Sequence, residues 1–148
     1  MYNLITILVL LPTIIFSQNI DGIEIGVQKQ NDQYLKMNDL DVQVMPVVSD
    51  ANNKCYGLMY MPVDKDSKIP KTISSREMHT FEEYLIEKFD IEFDTTINYH
   101  DEVLKFSESD GVEYELKSEV INQEIDTFFV VWFTELAKDI EDQIKDVR

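Results

Sequence analysis

Apolar and polar positions change period several times along the chain, and each change marks an element. From Gly22 to Lys29, Ile23, Ile25 and Val27 alternate with Glu24, Gly26 and Gln28, the period of two that predicts a half-buried strand. Asn31-Asp32 supplies turn chemistry before a second strand over Tyr34–Met37. Val42 and Val44 begin a third; Pro46 has no amide to give to a ladder, which places this strand at a sheet edge or a bulge. Beyond the polar turn Ser49–Lys54, Cys55–Met61 is apolar on both faces and stops at Pro62.

The period lengthens at Ser74. Its hydroxyl and the Glu77 carboxylate have the spacing of a capping box, and Met78, Phe81, Leu85 and Phe89 form one helical stripe, with His79, Glu83 and Glu87 on the outer face. Asp90–Asp94 alternates again and predicts a short strand. Glu102–Ser118 reads as a hairpin around Asp110-Gly111. A two-residue turn there would set Phe106 opposite Glu115 and mix the faces. The expected arrangement is therefore a three-residue loop, Ser109-Asp110-Gly111, pairing Phe106 with Tyr114, Leu104 with Leu116 and Lys105 with Glu115.

The last segment carries Ile125, Phe129, Trp132, Phe133, Leu136, Ile140 and Ile144 at helical spacing, flanked by Glu135, Asp139, Asp142 and Asp146. This predicts a second helix. Begun at Glu119 it would be about 42 Å long, against a radius of gyration of about 14 Å for a globule of this size, so its start is placed near Glu124–Thr127. Val130 and Val131 fall off the stripe, leaving 127–133 apolar nearly all round; a central strand is the alternative there, ranked behind the helix. The resulting expectation is an α+β fold, an antiparallel sheet of about five to six strands with two packed helices, about 74–89 and 124–146.

Ahead of these elements, Met1–Ser17 has no Asp, Glu, Lys or Arg, and Leu4–Phe16 is apolar except for Thr6, Pro12 and Thr13. Thirteen residues fall short of the roughly 20 needed to cross a bilayer, yet suit the apolar core of a secretory signal cut after Ser17. The expectation is a leader over 1–17 and a single domain over 18–148, secreted or periplasmic, with no stable membrane insertion once the leader is gone. The lone Cys55 rules out a disulfide within the chain.

Charge sharpens the choice of partner. The net charge is −16, distributed as eight acids and seven bases over 18–76 and 21 acids and six bases over 77–148. Nucleic acid and anionic lipid would be repelled; a basic protein would be attracted. Within this acidic chain, Pro62–Ile73 is net basic, with Lys65, Lys68 and Lys71 against Asp64 and Asp66. The candidate partner-binding residues are accordingly Glu135, Asp139, Asp142 and Asp146, with Lys65, Lys68 and Lys71. Were Val130 and Val131 exposed, they would add an acid-ringed apolar patch.

Catalytic signatures are sparse. None of the four glycines forms a phosphate-cradling loop, and no serine has the surroundings of a nucleophile elbow. His79, His100 and Cys55 are far apart in sequence, unlike a zinc cluster. His79 with Glu83 supplies only two ligands, and His100-Asp101-Glu102 is a base candidate without a visible partner. Around Asp110-Gly111, Phe106 and Lys117 stand where a calcium loop needs acids. Cys55 reads as a small buried hydrophobe. No catalytic residue, metal or cofactor is assigned. The expected function is an exported acidic domain that binds a basic protein without catalysis. The alternatives are a small hydrolase or metal-dependent enzyme using His79 or His100, and an envelope structural protein.

Overall fold

Alternation organises far more of this chain than helical spacing does. The computed structural model describes residues 18–134 and 136, apart from Lys29 and Ala51. In chain order the elements are β1 (Asn19–Ile20), β2 (Ile23–Glu24), β3 (Gln33–Met37), β4 (Leu40–Val48), β5 (Cys55–Pro62), α1 (Ser75–Phe89), β6 (Thr95–Tyr99), β7 (Glu102–Ser109), β8 (Val112–Ile121) and β9 (Glu124–Phe133). β1 and β2 form a small hairpin, and the rest build a seven-stranded antiparallel sheet in the order β3-β4-β5-β9-β8-β7-β6. Two meanders thus meet where β9 pairs with β5, from Gly57 opposite Trp132 to Tyr60 opposite Phe129. α1 packs on one face.

Among the described residues the fold is mainly antiparallel β, with α1 the one complete helix, which corrects the expectation of an α+β domain with two packed helices. Glu124–Phe133, the first half of the expected second helix, is β9. Thr127, Phe129 and Val131 face α1, while Phe128, Val130 and Trp132 take the other face. A strand buried on both sides reads as a nearly continuous apolar run, and its β-branched and aromatic residues suit a pleated surface. Its Ile, Phe and Trp positions also happen to match a helical stripe. Helical backbone starts only at Thr134, whose amide and hydroxyl both donate to the Gly111 carbonyl, at 3.0 and 2.7 Å. From 135 to 146 the expected helix lies outside the described residues except for Leu136. Val130 and Val131 are each 1% exposed, so they form no apolar patch.

The β7–β8 register also differs from expectation. Ser109 pairs with Val112 around a two-residue Asp110-Gly111 turn, setting Phe106 opposite Glu115, Leu104 opposite Lys117 and Lys105 opposite Leu116. Both turn residues have positive φ, 51° and 76°, the conformation whose twist matches that of the flanking strands. That match outweighs clean separation of apolar and charged side chains. Lys105 is accommodated on the helix-covered face because its ammonium reaches the Glu82 carboxylate of α1.

Other boundaries shift for local reasons. Between Gly22 and Lys29 only Ile23–Glu24 is strand, since the chain turns at Gly26, with φ +84°. Asp90–Asp94 forms no strand; β6 follows at Thr95–Tyr99 instead. Pro46 lies inside β4, but β3 pairs only as far as Val44, so the missing amide faces no strand. A bulge follows where Tyr56 is the extra residue opposite Val47–Val48.

Leu40, Val42 and Val44 of β4, Leu58 and Tyr60 of β5, Leu116 of β8 and Phe129 and Val131 of β9 enclose the core with Met78, Phe81 and Leu85 of α1. The Phe89 ring sits 5.4 to 5.7 Å from the rings of Phe129, Tyr114 and Tyr60. Beside it, Asp21 accepts from the Tyr60 hydroxyl and from the Lys88 ammonium, each at 2.7 Å, joining the β1–β2 turn to sheet and helix. Burial, then the Asp21 carboxylate, push the Tyr60 phenol above its usual range. With both oxygens of Asp21 satisfied, the desolvation of the pair is offset locally.

α1 begins where the sequence placed it. The Ser74 hydroxyl accepts from the Glu77 amide at 3.3 Å and the Glu77 carboxylate accepts from the Ser74 amide at 2.8 Å. That backbone amide holds the Glu77 carboxyl below its usual range. Asp90 closes the helix in a left-handed conformation, donating its amide to the Ile86 carbonyl.

Phe129→Ala should lower unfolding stability by about 3–5 kcal/mol in urea titrations, whereas exposed Asp126→Ala should stay within about 0.5 kcal/mol. Ser74→Ala should cost about 1 kcal/mol. Because the Glu77 value is depressed on folding, its contribution is complete above the ordinary glutamate range and is lost as pH falls through the folded value. Wild type and Glu77→Gln should therefore differ in thermal midpoint at neutral pH and converge in acid.

A candidate acidic cleft on the face opposite the helix

Register carries side chains of six strands into rows on the sheet face opposite α1. One row runs Thr95, Phe106, Glu115, Val130, Met59 and Met45; the next runs Glu108, Glu113, Trp132, Gly57 and Val47. The β4–β5 side is apolar and thioether-rich, whereas the β7–β8 side is acidic. Gly57 sits between them for a steric reason. A Cβ there would lie 2.8 Å from the Val131 carbonyl oxygen and 3.4 Å from the Trp132 ring. Its absence lets the indole lie against β5, 5.7 Å from the ring of the bulged Tyr56.

Between β6 and β9 these rows enclose a cleft of about 290 Å³. Phe106 and Trp132 supply rings, Asp94, Glu108, Glu113 and Glu115 supply carboxylates, and Thr95, Ser107 and Tyr114 complete the wall. The Tyr114 ring itself packs on the helix side against Phe89 and Phe129, where burial, then the nearby Asp110 charge, raise its phenol above the usual range.

The charge balance here is uneven. Residues 94–133 hold ten acids and two lysines. Lys105 is paired with Glu82, and Lys117 lies 2.6 Å from Glu102. The Lys117 ammonium titrates above its usual range, foremost through that hydrogen bond, with Glu119 and Glu115 adding to it. Glu108 stands directly opposite Glu113, and no ion pair among the described residues reaches either one. Like charges opposed across a ladder destabilise a sheet. A cation between them would remove that repulsion, and neighbouring ring faces would add cation–π attraction. The arrangement is thus suited chemically to holding an ammonium or guanidinium group.

The residues expected from sequence fall elsewhere. Glu135, Asp139, Asp142 and Asp146 lie outside the described residues, as does the expected leader over 1–17. Lys65, Lys68 and Lys71 occupy the β5–α1 loop, which Asp64 folds by accepting from the Ser67 amide and hydroxyl at 2.9 Å each and the Asp66 amide at 3.1 Å. Those bonds, the Ser67 amide foremost, hold its carboxyl below the usual range. Lys68 sits 5.0 Å over the Tyr34 ring of β3, and Lys71 lies 3.6 Å from Glu77. The lysine loop therefore stands by the β3 edge, at the other end of the sheet from the cleft.

His79 and His100 also stay apart. His79 is on the outer surface of α1, 3.1 Å from Glu83. His100 lies in the β6–β7 turn against the Tyr99 ring. Among the described residues no three His, Cys, Asp or Glu side chains are grouped to hold a metal. Cys55 is fully buried, its thiol donating to the Gly57 carbonyl at 3.2 Å, and burial raises its pKa.

A second hollow, of about 350 Å³, lies between the β3–β4 turn and the first turn of α1. Its Asp39, Arg76 and Glu77 mix both signs of charge.

The cleft residues escaped sequence reasoning through two choices, the length of the hairpin loop and the helical reading of the segment that carries Trp132. Glu113 and Glu115 alternate with Tyr114 and Leu116, and a two-residue turn places Glu108 against Glu113.

Reversing one of the opposed charges provides a test of this geometry. Glu113→Lys should raise stability by about 0.2–1 kcal/mol in urea unfolding at low ionic strength, and the gain should shrink in high salt. A loss at low salt would contradict an unneutralised Glu108–Glu113 pair. No protein-family description matches this chain, and neither the curated proteins nor the solved structures compared with it include a match.

Proposed function

We propose that this chain is an exported, non-catalytic binding domain whose acidic face takes a basic protein partner, with an arginine or lysine side chain entering the cleft between Glu108 and Glu113. The observation that carries this reading is the direct opposition of those two carboxylates, without an ion-pair partner among the described residues, beside Trp132. A protein gains no folding stability from such a pair; a bound cation gives it a use. Arginine fits better than lysine, because a planar guanidinium can bond forked acceptors while stacking on a ring. The surrounding excess of acid would also speed encounter with a basic surface.

Export rests on the Met1–Ser17 pattern. No helix among the described residues is long and apolar enough to cross a membrane.

Trp132 is the single tryptophan, so its emission reports on the cleft. Titration with a tryptophan-free nonapeptide rich in arginine should give a saturable change in emission. Affinity should fall roughly tenfold or more between about 50 and 500 mM salt, as screening of exposed charges requires. The double reversal Glu108→Lys/Glu113→Lys should abolish the response. Unchanged affinity in that variant would remove the cleft from consideration.

A further inference from the structure

We infer that the outer edge of β6 is where an extended basic segment of the partner docks, adding to the sheet as an eighth strand. This deepens the binding reading above and rests on it. β6 ends the sheet, and all five of its residues are exposed, including Ile97 at 50% and Tyr99 at 68%. An edge strand presents unpaired backbone amides and carbonyls, a template that proteins commonly blunt with lysine, proline or a bulge. Thr95–Tyr99 contains no charged residue or proline, and it pairs with β7 through five consecutive residues without a register shift.

The opposite edge of the same sheet is treated differently. β3 carries Lys36, 3.7 Å from Asp41, and the Lys68 ammonium covers its Tyr34 ring. Among the described residues one edge is guarded and the other is open.

The occupant is selected by charge. Asp94 and Asp101 flank β6, and Glu108 lies on the adjoining strand, where Glu102 is already paired with Lys117. A second copy of this chain would bring the same acids together, each copy carrying a net charge of −16. A basic segment would be attracted instead. The two surfaces are continuous, because Thr95 lies both on β6 and in the wall of the cleft. A strand added beside Thr95, Ile97 and Tyr99 would lay alternate apolar side chains against Ile97 and Tyr99, with Asp94 and Asp101 at the two ends of β6 to attract its basic ones. Backbone bonding would give affinity and alternate side chains specificity, as in other strand additions.

The probe is a nonapeptide of alternating lysine and valine, compared with the same peptide N-methylated at its five central amides. Both are added to the isotope-labelled protein while amide hydrogen exchange and Trp132 emission are followed. The plain peptide should bind and slow exchange of β6 backbone amides at least tenfold, and the N-methylated peptide should bind at least tenfold more weakly. Equal binding of the two peptides without β6 protection would overturn strand addition and leave the cation cleft standing. Absence of binding by either peptide, together with no Trp132 response to the arginine-rich probe, would overturn both. Protection of β6 without peptide, accompanied by a dimer in sedimentation, would make the occupant a second copy and overturn the proposal.

Discussion

The structure depends on β9 fitting between β5 and β8. Among the described residues it joins the β3-β4-β5 meander to β6, β7 and β8, and its inner position pairs it with a strand on each side. Phe129 and Val131 seal the core under α1, while Val130 and Trp132 line the other side. Removing a buried aromatic side chain of this kind costs about 3–5 kcal/mol. Few local interactions in a domain of this size compare with that. The Asp21–Lys88–Tyr60 cluster and the Ser74–Glu77 cap then fix how the small hairpin and α1 sit on a sheet that β9 has already closed.

That central position explains how the acidic cleft can exist. The repulsion between opposed Glu108 and Glu113 is of the order of 0.2–1 kcal/mol, well below the contribution of the core strand beside them. Burial fixes the register, and register fixes which carboxylates face one another. The fold can therefore hold an unfavourable local pairing in place. Gly57 belongs to the same logic: a Cβ there would press on the Val131 carbonyl of β9, 2.8 Å away, beside the Trp132 indole.

α1 was legible because two independent signals agreed, a capping box at its start and an apolar stripe along it. β5 was legible because it is apolar throughout and bounded by a polar turn and a proline. β9 was not, since its large apolar residues satisfy periods of both 3.6 and 2, and only a neighbour on each side decides between them. β6, Thr-Thr-Ile-Asn-Tyr, is an exposed edge with little alternation to read. In the β7–β8 hairpin, segregation of charged from apolar residues pointed to a three-residue loop, while turn twist favoured two residues. The excess of acid in the second half was visible in composition, but its concentration around Glu108, Glu113 and Trp132 required the register. The expected acidic surface at Glu135, Asp139, Asp142 and Asp146 lies beyond the residues whose structure is described.

The interaction between Glu108 and Glu113 is most directly tested by a double-mutant cycle, with Glu108→Gln, Glu113→Gln and both together, followed by urea unfolding at low and high salt. The expected coupling is repulsive, about 0.2–1 kcal/mol at low ionic strength, smaller in high salt and absent once an arginine-rich peptide is bound. A coupling of zero at low salt, or an attractive one, would mean that the two carboxylates do not confront each other, and the cleft would lose its reason to bind a cation.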